Sequence, residues 1–249
     1  MTGSETGAQR NPIREERMEN PWKTIRLSDY EAHMKLQTVR QQQTLSEMMY
    51  TQLRAFPAES AMILGVAGGN GLEHLEPGRY AAVYGVDVNP DYLRETAQRY
   101  GARHPELQCL CIDLNTGCAA LPRAGLVIAN LLIEYIGCAQ FQNVIRQVQP
   151  RFVSCGIQVD EGDGFVSESP YLHAFDGLEQ IHRQISAAAL SDALAEIGYQ
   201  RTDTAEYPLP NGKKLVRADF SLASHGEAAD PSNESAQKRR KVRDEAADS

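Results

Sequence analysis

The chain has 249 residues, 42% of them hydrophobic and 23% charged, with a formal net charge of -8. This is enough chain for one α/β domain with additions, and its acidic balance disfavours a broad nucleic-acid footprint, which needs basic surface to release counterions. No apolar run approaches the roughly 20 residues of a membrane span, and the polar stretch Met1 to Asn20 does not read as a signal peptide, so a cytoplasmic protein without a membrane partner is the expectation.

Residues 1–20 are expected to be disordered. From Trp22, the only tryptophan, the chain reads as helical to about residue 57. Ser28 or Asp29 suits a cap, with Glu31 close behind, and Leu27, Tyr30 and Met34 share a face. Beyond the polar Gln41-Gln42-Gln43, the residues Leu45, Met48, Met49, Leu53 and Phe56 recur at helical spacing, which predicts two helices over 21–57.

The next segment carries most of the information. Ala61 to Val66 is an apolar run with the look of a buried parallel strand; it breaks into Gly68, Gly69 and Gly71, and Leu72 to Leu75 then reads as the first turn of a helix. The glycines let backbone amides approach a ligand beside a helix N-terminus. They do not fit the dinucleotide spacing G-x-G-x-x-G, because counting from Gly65 gives Ala67 and Asn70, and counting from Gly69 gives Gly71 and His74. Nor is there a phosphate loop, since Leu72-Glu73 stands where Lys-Ser/Thr is needed.

A second strand, Ala81 to Val86, ends on Asp87-Val88, and a carboxylate at such a tip can accept both hydroxyls of a ribose. Asn89 caps a helix with Pro90 at its first position and Gly101 past its end. A third strand, Leu107 to Ile112, closes on Asp113-Leu114. The fourth, Leu126 to Ala129, ends at Asn130, followed by Leu131-Leu132-Ile133-Glu134-Tyr135-Ile136. Arg151 to Val159 is a fifth strand leading into Asp160-Glu161-Gly162-Asp163-Gly164, readable as a metal-binding acid cluster or as a solvated glycine loop.

An insertion over 165–184 carries Tyr171, His173, Phe175, His182 and Arg183. Ala187 to Ile197 reads as a helix stopped by Gly198, and Tyr199 to Leu209 with Lys214 to Ala223 as a hairpin across Pro210-Asn211-Gly212. The tail, 225–249, is expected to be disordered. Its basic cluster Lys238 to Arg243 is offset by Glu234, Asp244, Glu245 and Asp248, which fits a solubilising tail or a targeting element and leaves a nuclear address open. The five cysteines (Cys109, Cys111, Cys118, Cys138, Cys155) include no Cys-x-x-Cys pair and are expected to be reduced, without zinc.

Taken together, the glycine loop and the two strand-tip acids resemble the class I S-adenosylmethionine-dependent methyltransferases, whose first motif has the form acid-x-Gly-x-Gly-x-Gly. Aligned on Gly69 and Gly71, Ala67 takes the first glycine position and Gly65 the acidic one. The resemblance spans about 60–224. It implies an α/β fold with a seven-stranded Rossmann-like sheet, mostly parallel with an antiparallel C-terminal hairpin, as a domain over 58–224 beneath an N-terminal helical lid. It also implies S-adenosylmethionine as cofactor, held by Gly65, Ala67, Gly69, Gly71, Asp87, Val88, Asp113, Leu114 and Asn130.

For the acceptor, the same resemblance points to the lid residues Tyr30, His33, Met34 and Tyr50, to Glu134 and Tyr135, and to Tyr171 in the insertion; the competing readings are plain core packing for the lid residues, the start of the next helix for Glu134 and Tyr135, and a mere connector for the insertion. His173, then His33, is the expected general base. The stretch Ala129-Asn130-Leu131-Leu132 lacks the Asn/Asp-Pro-Pro-aromatic sequence of one amino-methylating group and the Pro-Cys pair of cytosine-carbon enzymes. It also offers Asn130 where a magnesium-chelating branch has an acid, so no metal is expected. The expected function is methyl transfer to an O, N or S atom of a small molecule by a monomer or homodimer. A protein or RNA methyltransferase is one alternative. Another is a non-catalytic scaffold or cofactor-sensing module, motivated by the departures at Gly65 and Ala67.

Overall fold

Apolar runs of five to eight residues form the inner strands here because both faces of the sheet are covered at its centre. The computed structural model describes residues 19–159 and 170–223. Its strands are β1 Ser60–Leu64, β2 Ala82–Asp87, β3 Leu107–Cys111, β4 Leu126–Asn130, β5 Phe152–Val159, β6 Tyr199–Pro208 and β7 Lys214–Leu222. They form one sheet in the order β3-β2-β1-β4-β5-β7-β6. The first five are parallel, and β7 runs antiparallel between β5 and β6. The order reverses between β1 and β4, and at such a switch point the crevice beyond the strand tips is the usual place for a ligand.

The period of two assigns the faces. In β1, Ala61 and Ile63 point with Leu126 and Ile128 of β4 into a layer completed by Leu53 of helix α2 (Gln41–Ala55) and Leu93 of α3 (Pro90–Tyr100). Met62 and Leu64 point with Val127 and Ala129 into the opposite layer, closed by Phe141 and Ile145 of α4 (Ile133–Val148) and Leu190 and Leu194 of α5 (Ala187–Ala195). A first helix, α1 (Leu27–Lys35), sets Met34 against Leu45 and Met48 of α2 and Leu209 and Leu215 of the hairpin, which fixes it over the strand tips.

Two local expectations need correction. The helix expected from Leu72 is a single 3-10 turn, Leu72–His74; Pro77 follows closely, and proline pushes the residue before it out of the helical region. Neither Ser28 nor Asp29 caps α1. Arg26 holds the cap position, and Asp29 sits in the first turn, accepting from the Arg26 guanidinium at 2.9 Å. By contrast Gly101 lies just past the end of α3 as expected, in right-handed backbone (φ -61). Asn89 also caps α3 as expected, its side-chain oxygen accepting from the N–H of Asp91 and Tyr92. The acids of 160–163 and the basic cluster of the tail lie outside the described residues. All five cysteines are free thiols, and no described helix is long and apolar enough to cross a membrane.

Candidate active site

The loop after β1 is held to the tip of β2 by backbone bonds, with Gly65 and Val66 N–H donating to the Val86 carbonyl at 2.8 and 3.0 Å. Ala67 then takes left-handed backbone (φ 47), which disfavours any side chain. Its neighbours hold it there: Ala67 N–H donates to Asp87 Oδ2 at 2.9 Å, and Thr96 Oγ1 donates to the Ala67 carbonyl at 2.7 Å. The other carboxylate oxygen, Oδ1, accepts from Asn89 N–H at 2.9 Å. Asp87 is buried, and burial pushes its carboxyl above the usual carboxylate range against the opposing pull of the Asn89 and Ala67 amides. One side chain thus ties the glycine loop, the β2 tip and the start of α3 together.

Around this tie lies a cavity with about 640 Å³ of empty space, counting space open to solvent. Gly65, Ala67, Asp87, Val88, Asp113, Leu114 and Asn130 all line it. Gly69 and Gly71 do not. A Cβ on Gly69 would stand 2.6 Å from the Tyr100 ring, and one on Gly71 would stand 2.5 Å from Met49 Cβ, with positive φ at both. These two glycines let α3 and α2 pack on the outside of the loop.

The N-terminal segment roofs the cavity. Asn89 Nδ2 donates to the Trp22 carbonyl at 2.9 Å, Asn20 Nδ2 donates to Asp113 Oδ1 at 3.3 Å, and Lys23 Nζ lies 3.5 Å from Asp113 Oδ2. Trp22 is therefore clamped to the strand tips from both sides. Its ring meets Tyr30 edge-on at 5.7 Å and Tyr135 edge-on at 5.1 Å. Tyr135 reaches this position because α4 breaks at Gly137 (φ 77), so that its first turn departs from the rest of the helix. The Arg183 guanidinium packs where a Gly137 Cβ would be, 2.6 Å away, and Arg183 N–H donates to the Glu134 carbonyl at 2.7 Å.

A second cavity, with about 580 Å³ of empty space counted in the same way, opens on the far side of these rings. It shares Trp22, Tyr30, Leu131 and Tyr135 with the first. The rest of its wall includes His33 and Met34 from α1, Gln41, Glu134, Gln158, and Phe175, Leu178 and His182 from the segment after residue 170. Glu134 is 2% exposed, and its Oε1 accepts from Gln158 N–H at 2.8 Å. Burial, with Lys213 adding to it, pushes the His33 imidazole below its ordinary pKa, and its ring lies 5.0 Å from that of Phe175. Burial also pushes the Tyr30 and Tyr135 hydroxyls well up, assisted by Asp87 at Tyr30 and by Glu134 at Tyr135. Both phenols stay protonated at neutral pH.

On the wall of the first cavity Asn130 exchanges two hydrogen bonds with Gln52 of α2, donating at 2.8 Å and accepting at 2.9 Å. Gln52 also donates to Ser154 Oγ at 2.9 Å; Ser154 donates to Asp219 at 2.5 Å, and Asp219 pairs with Arg217 at 2.7 Å. This buried chain fixes the Asn130 carboxamide from behind.

The other residues picked from the sequence fall as follows. His173 points outward, its side chain 95% exposed beside Asp176 at 3.4 Å. Tyr171 packs on the small cluster of Ile25, Phe175 and Leu178 and lines neither cavity. Tyr50 is 49% exposed and lies edge-on to His74. Trp22, Gln41, Gln158 and His182 were not singled out as site residues. For Trp22 the signal was there, a lone tryptophan beside a lid helix. For the two glutamines there was none, because Gln41 and Gln158 meet side chain to side chain across 117 positions of sequence. Among the described residues, no group of three His, Cys, Asp or Glu side chains could hold a metal ion.

No protein-family model and no curated protein matches this sequence. Solved structures match it on fold. The N-methyltransferase NodS from Bradyrhizobium japonicum WM9, in complex with S-adenosyl-L-homocysteine, superposes with a TM-score of 0.56 at 14% identity, covering 82% of this chain and 99% of that one. Magnesium protoporphyrin IX methyltransferase (ChlM) from Synechocystis PCC 6803, also with bound S-adenosyl-L-homocysteine, gives 0.56 at 12% identity over 80% and 95%. The cyclase SpnF gives 0.55 at 10% identity over 72% and 81%. The fold is that of the class I methyltransferases, and at such identities the likeness carries the fold alone.

Proposed function

We propose that this chain is an S-adenosylmethionine-dependent methyltransferase acting on a small molecule held in the second cavity. The observation that carries this reading is the junction. The strand-tip cavity and the lid cavity share Trp22, Tyr30, Leu131 and Tyr135, so ligands filling both would meet at one place.

The residues present fit the cofactor. Asp87 gives two lone pairs to backbone amides and keeps others for ribose hydroxyls, and Asp113 lies at the next strand tip for the adenine. The acid missing at Gly65 has a counterpart in Glu31 of α1. This residue lines a third hollow with Gly65 to Gly68, Met34 and Asn130, and its Oε1 lies 2.6 Å from where a Gly68 Cβ would stand. Its carboxylate already accepts from the Arg99 guanidinium and lies 3.5 Å from Lys35 Nζ, so the ammonium of an amino-acid tail would join this ion-pair cluster through the remaining lone pairs.

When bound, the cofactor supplies a methyl group already activated on a sulfonium. The protein's part is to align the acceptor and exclude water. Trp22, Tyr30 and Tyr135 line the junction, and α1 with Phe175 and Leu178 forms the acceptor-side wall. A cavity with about 580 Å³ of empty space has the size of a small-molecule site, whereas a protein or RNA chain needs a long groove. Of the two histidines expected as bases, His33 lines this cavity and His173 does not.

The test is to incubate the protein and methyl-labelled S-adenosylmethionine with a cell extract separated into metabolites, proteins and RNA. Label is expected in the metabolite fraction. Label in the protein or RNA fraction alone would overturn the small-molecule reading.

A further inference from the structure

The second cavity is unevenly supplied with charge. Among the described residues its wall holds one carboxylate, Glu134, two imidazoles, His33 and His182, and no lysine or arginine. Its aromatic residues are Trp22, Tyr30, Tyr135 and Phe175. Tyr30 and Tyr135 both stand nearly perpendicular to Trp22, at 82° and 87°, giving a cradle of three rings at the junction with the first cavity. The edge of His182 closes on Tyr135, with ring centres 5.5 Å apart. Ring faces and a buried carboxylate attract a cation and disfavour an anion.

Resting on the methyltransferase reading above, we propose that the acceptor is a primary or secondary amine, bound as its ammonium between the Trp22–Tyr30–Tyr135 cradle and Glu134, with His33 as its proton acceptor. Among the described residues Lys213 acts on His33 from outside the lining, so a carboxylate or phosphate acceptor finds no cationic side chain on the wall itself. An alcohol acceptor would gain a charge-assisted hydrogen bond from Glu134 but no attraction to the ring faces. The ammonium is the form that uses both features.

The chemistry balances without a further reactant. The ammonium nitrogen gives one proton to the neutral imidazole of His33, which freed nitrogen lone pair then takes the methyl. The new N–C bond forms as the S–C bond breaks, the sulfonium positive charge passes to the nitrogen, and a neutral thioether leaves. His33 returns its proton to solvent. Burial of His33, with Lys213 adding to it, keeps the ring neutral; the same shift makes it a weaker base, so the proton passes on to solvent as the methyl group is captured.

The experiment is ligand-observed NMR on protein saturated with S-adenosylhomocysteine. The probes are matched trios of amine, alcohol and carboxylate on benzyl, phenethyl and cyclohexylmethyl frames. At least one amine is expected to bind about tenfold or more tighter than its alcohol, the scale of one charge-assisted contact, with its carboxylate weaker still. Glu134→Gln should bring that amine to within about threefold of its alcohol, and Trp22→Leu should weaken it more than Trp22→Phe. Glu134, which lines the second cavity and not the first, can be changed to Gln with S-adenosylhomocysteine affinity kept within about twofold, and urea unfolding reports that the two Trp22 variants fold. Three results would each overturn the amine assignment: alcohols or carboxylates binding as well as amines, no amine binding to the loaded protein, or an amine preference that survives Glu134→Gln. Failure of S-adenosylhomocysteine to bind the unmodified protein is a separate result and removes the methyltransferase reading itself.

Discussion

Asp87→Ala is the substitution whose effect follows most directly from the geometry. Its carboxylate accepts two backbone N–H groups, those of Ala67 and Asn89, each at 2.9 Å. Truncation leaves both donors without their acceptor in a buried place, at about 1–3 kcal/mol each. Against this, removing a buried carboxylate returns part of its desolvation cost, visible as the raised pKa of Asp87. A net loss of about 2–4 kcal/mol of stability is therefore expected. The loss should fall in the glycine loop, because Ala67 is kept in left-handed backbone by that bond and by Thr96. Under the proposed function, S-adenosylhomocysteine loses its ribose acceptor as well, and its affinity should drop roughly ten- to hundredfold. Asp87→Asn keeps one acceptor but turns an NH2 group toward the other amide, so it should fall between wild type and alanine on both scales. Urea unfolding reads the first quantity and calorimetric titration the second. An alanine variant with the wild-type urea midpoint would refute the structural part. An alanine variant that stays folded and binds S-adenosylhomocysteine within about twofold of wild type would refute the cofactor placement.

Glu31→Gln should weaken S-adenosylhomocysteine about tenfold while leaving methylthioadenosine, which lacks the amino-acid tail, unchanged; equal losses for both ligands would show that Glu31 does not serve the tail. Gly71→Ala should cost about 2–4 kcal/mol in urea unfolding, combining left-handed strain with overpacking against Met49 Cβ. The control Gly78→Ala, at φ +75 with nothing within 4 Å, should cost only about 1 kcal/mol; similar losses at the two sites would contradict the packing role given to Gly71. For His33, the folded pKa is lowered, so the unfolded chain binds more protons between that value and the ordinary one of 6.5. Its contribution to stability is complete above 6.5 and falls away as the pH drops through that window, and His33→Gln should flatten this part of the urea-midpoint profile.

The strand tips were legible because polarity changes abruptly there. Asp87, Asp113 and Asn130 each end an apolar run, and a parallel sheet brings those ends to one edge, where all three line the same cavity. The glycines were only half legible. A glycine run states that side chains are excluded but not what excludes them; at Gly65 it is the cavity and the neighbouring Leu132, while at Gly69 and Gly71 it is Tyr100 and Met49. The second cavity was least legible, since it is made by contacts far apart in sequence. His173 and His182 looked equivalent in an irregular segment. The 3-10 turn at Leu172–Leu178 buries Phe175 and turns His173 to solvent, leaving His182 on the wall. No periodicity in the sequence encodes that choice.

The cavity at the tips of β1, β2, β3 and β4 is proposed as the cofactor site, despite glycine at the acidic position of the loop. Calorimetric titration of the unmodified protein with S-adenosylhomocysteine tests it directly. One-to-one binding with a dissociation constant on the order of micromolar is predicted. Folded protein that gives no binding up to about millimolar ligand would contradict it.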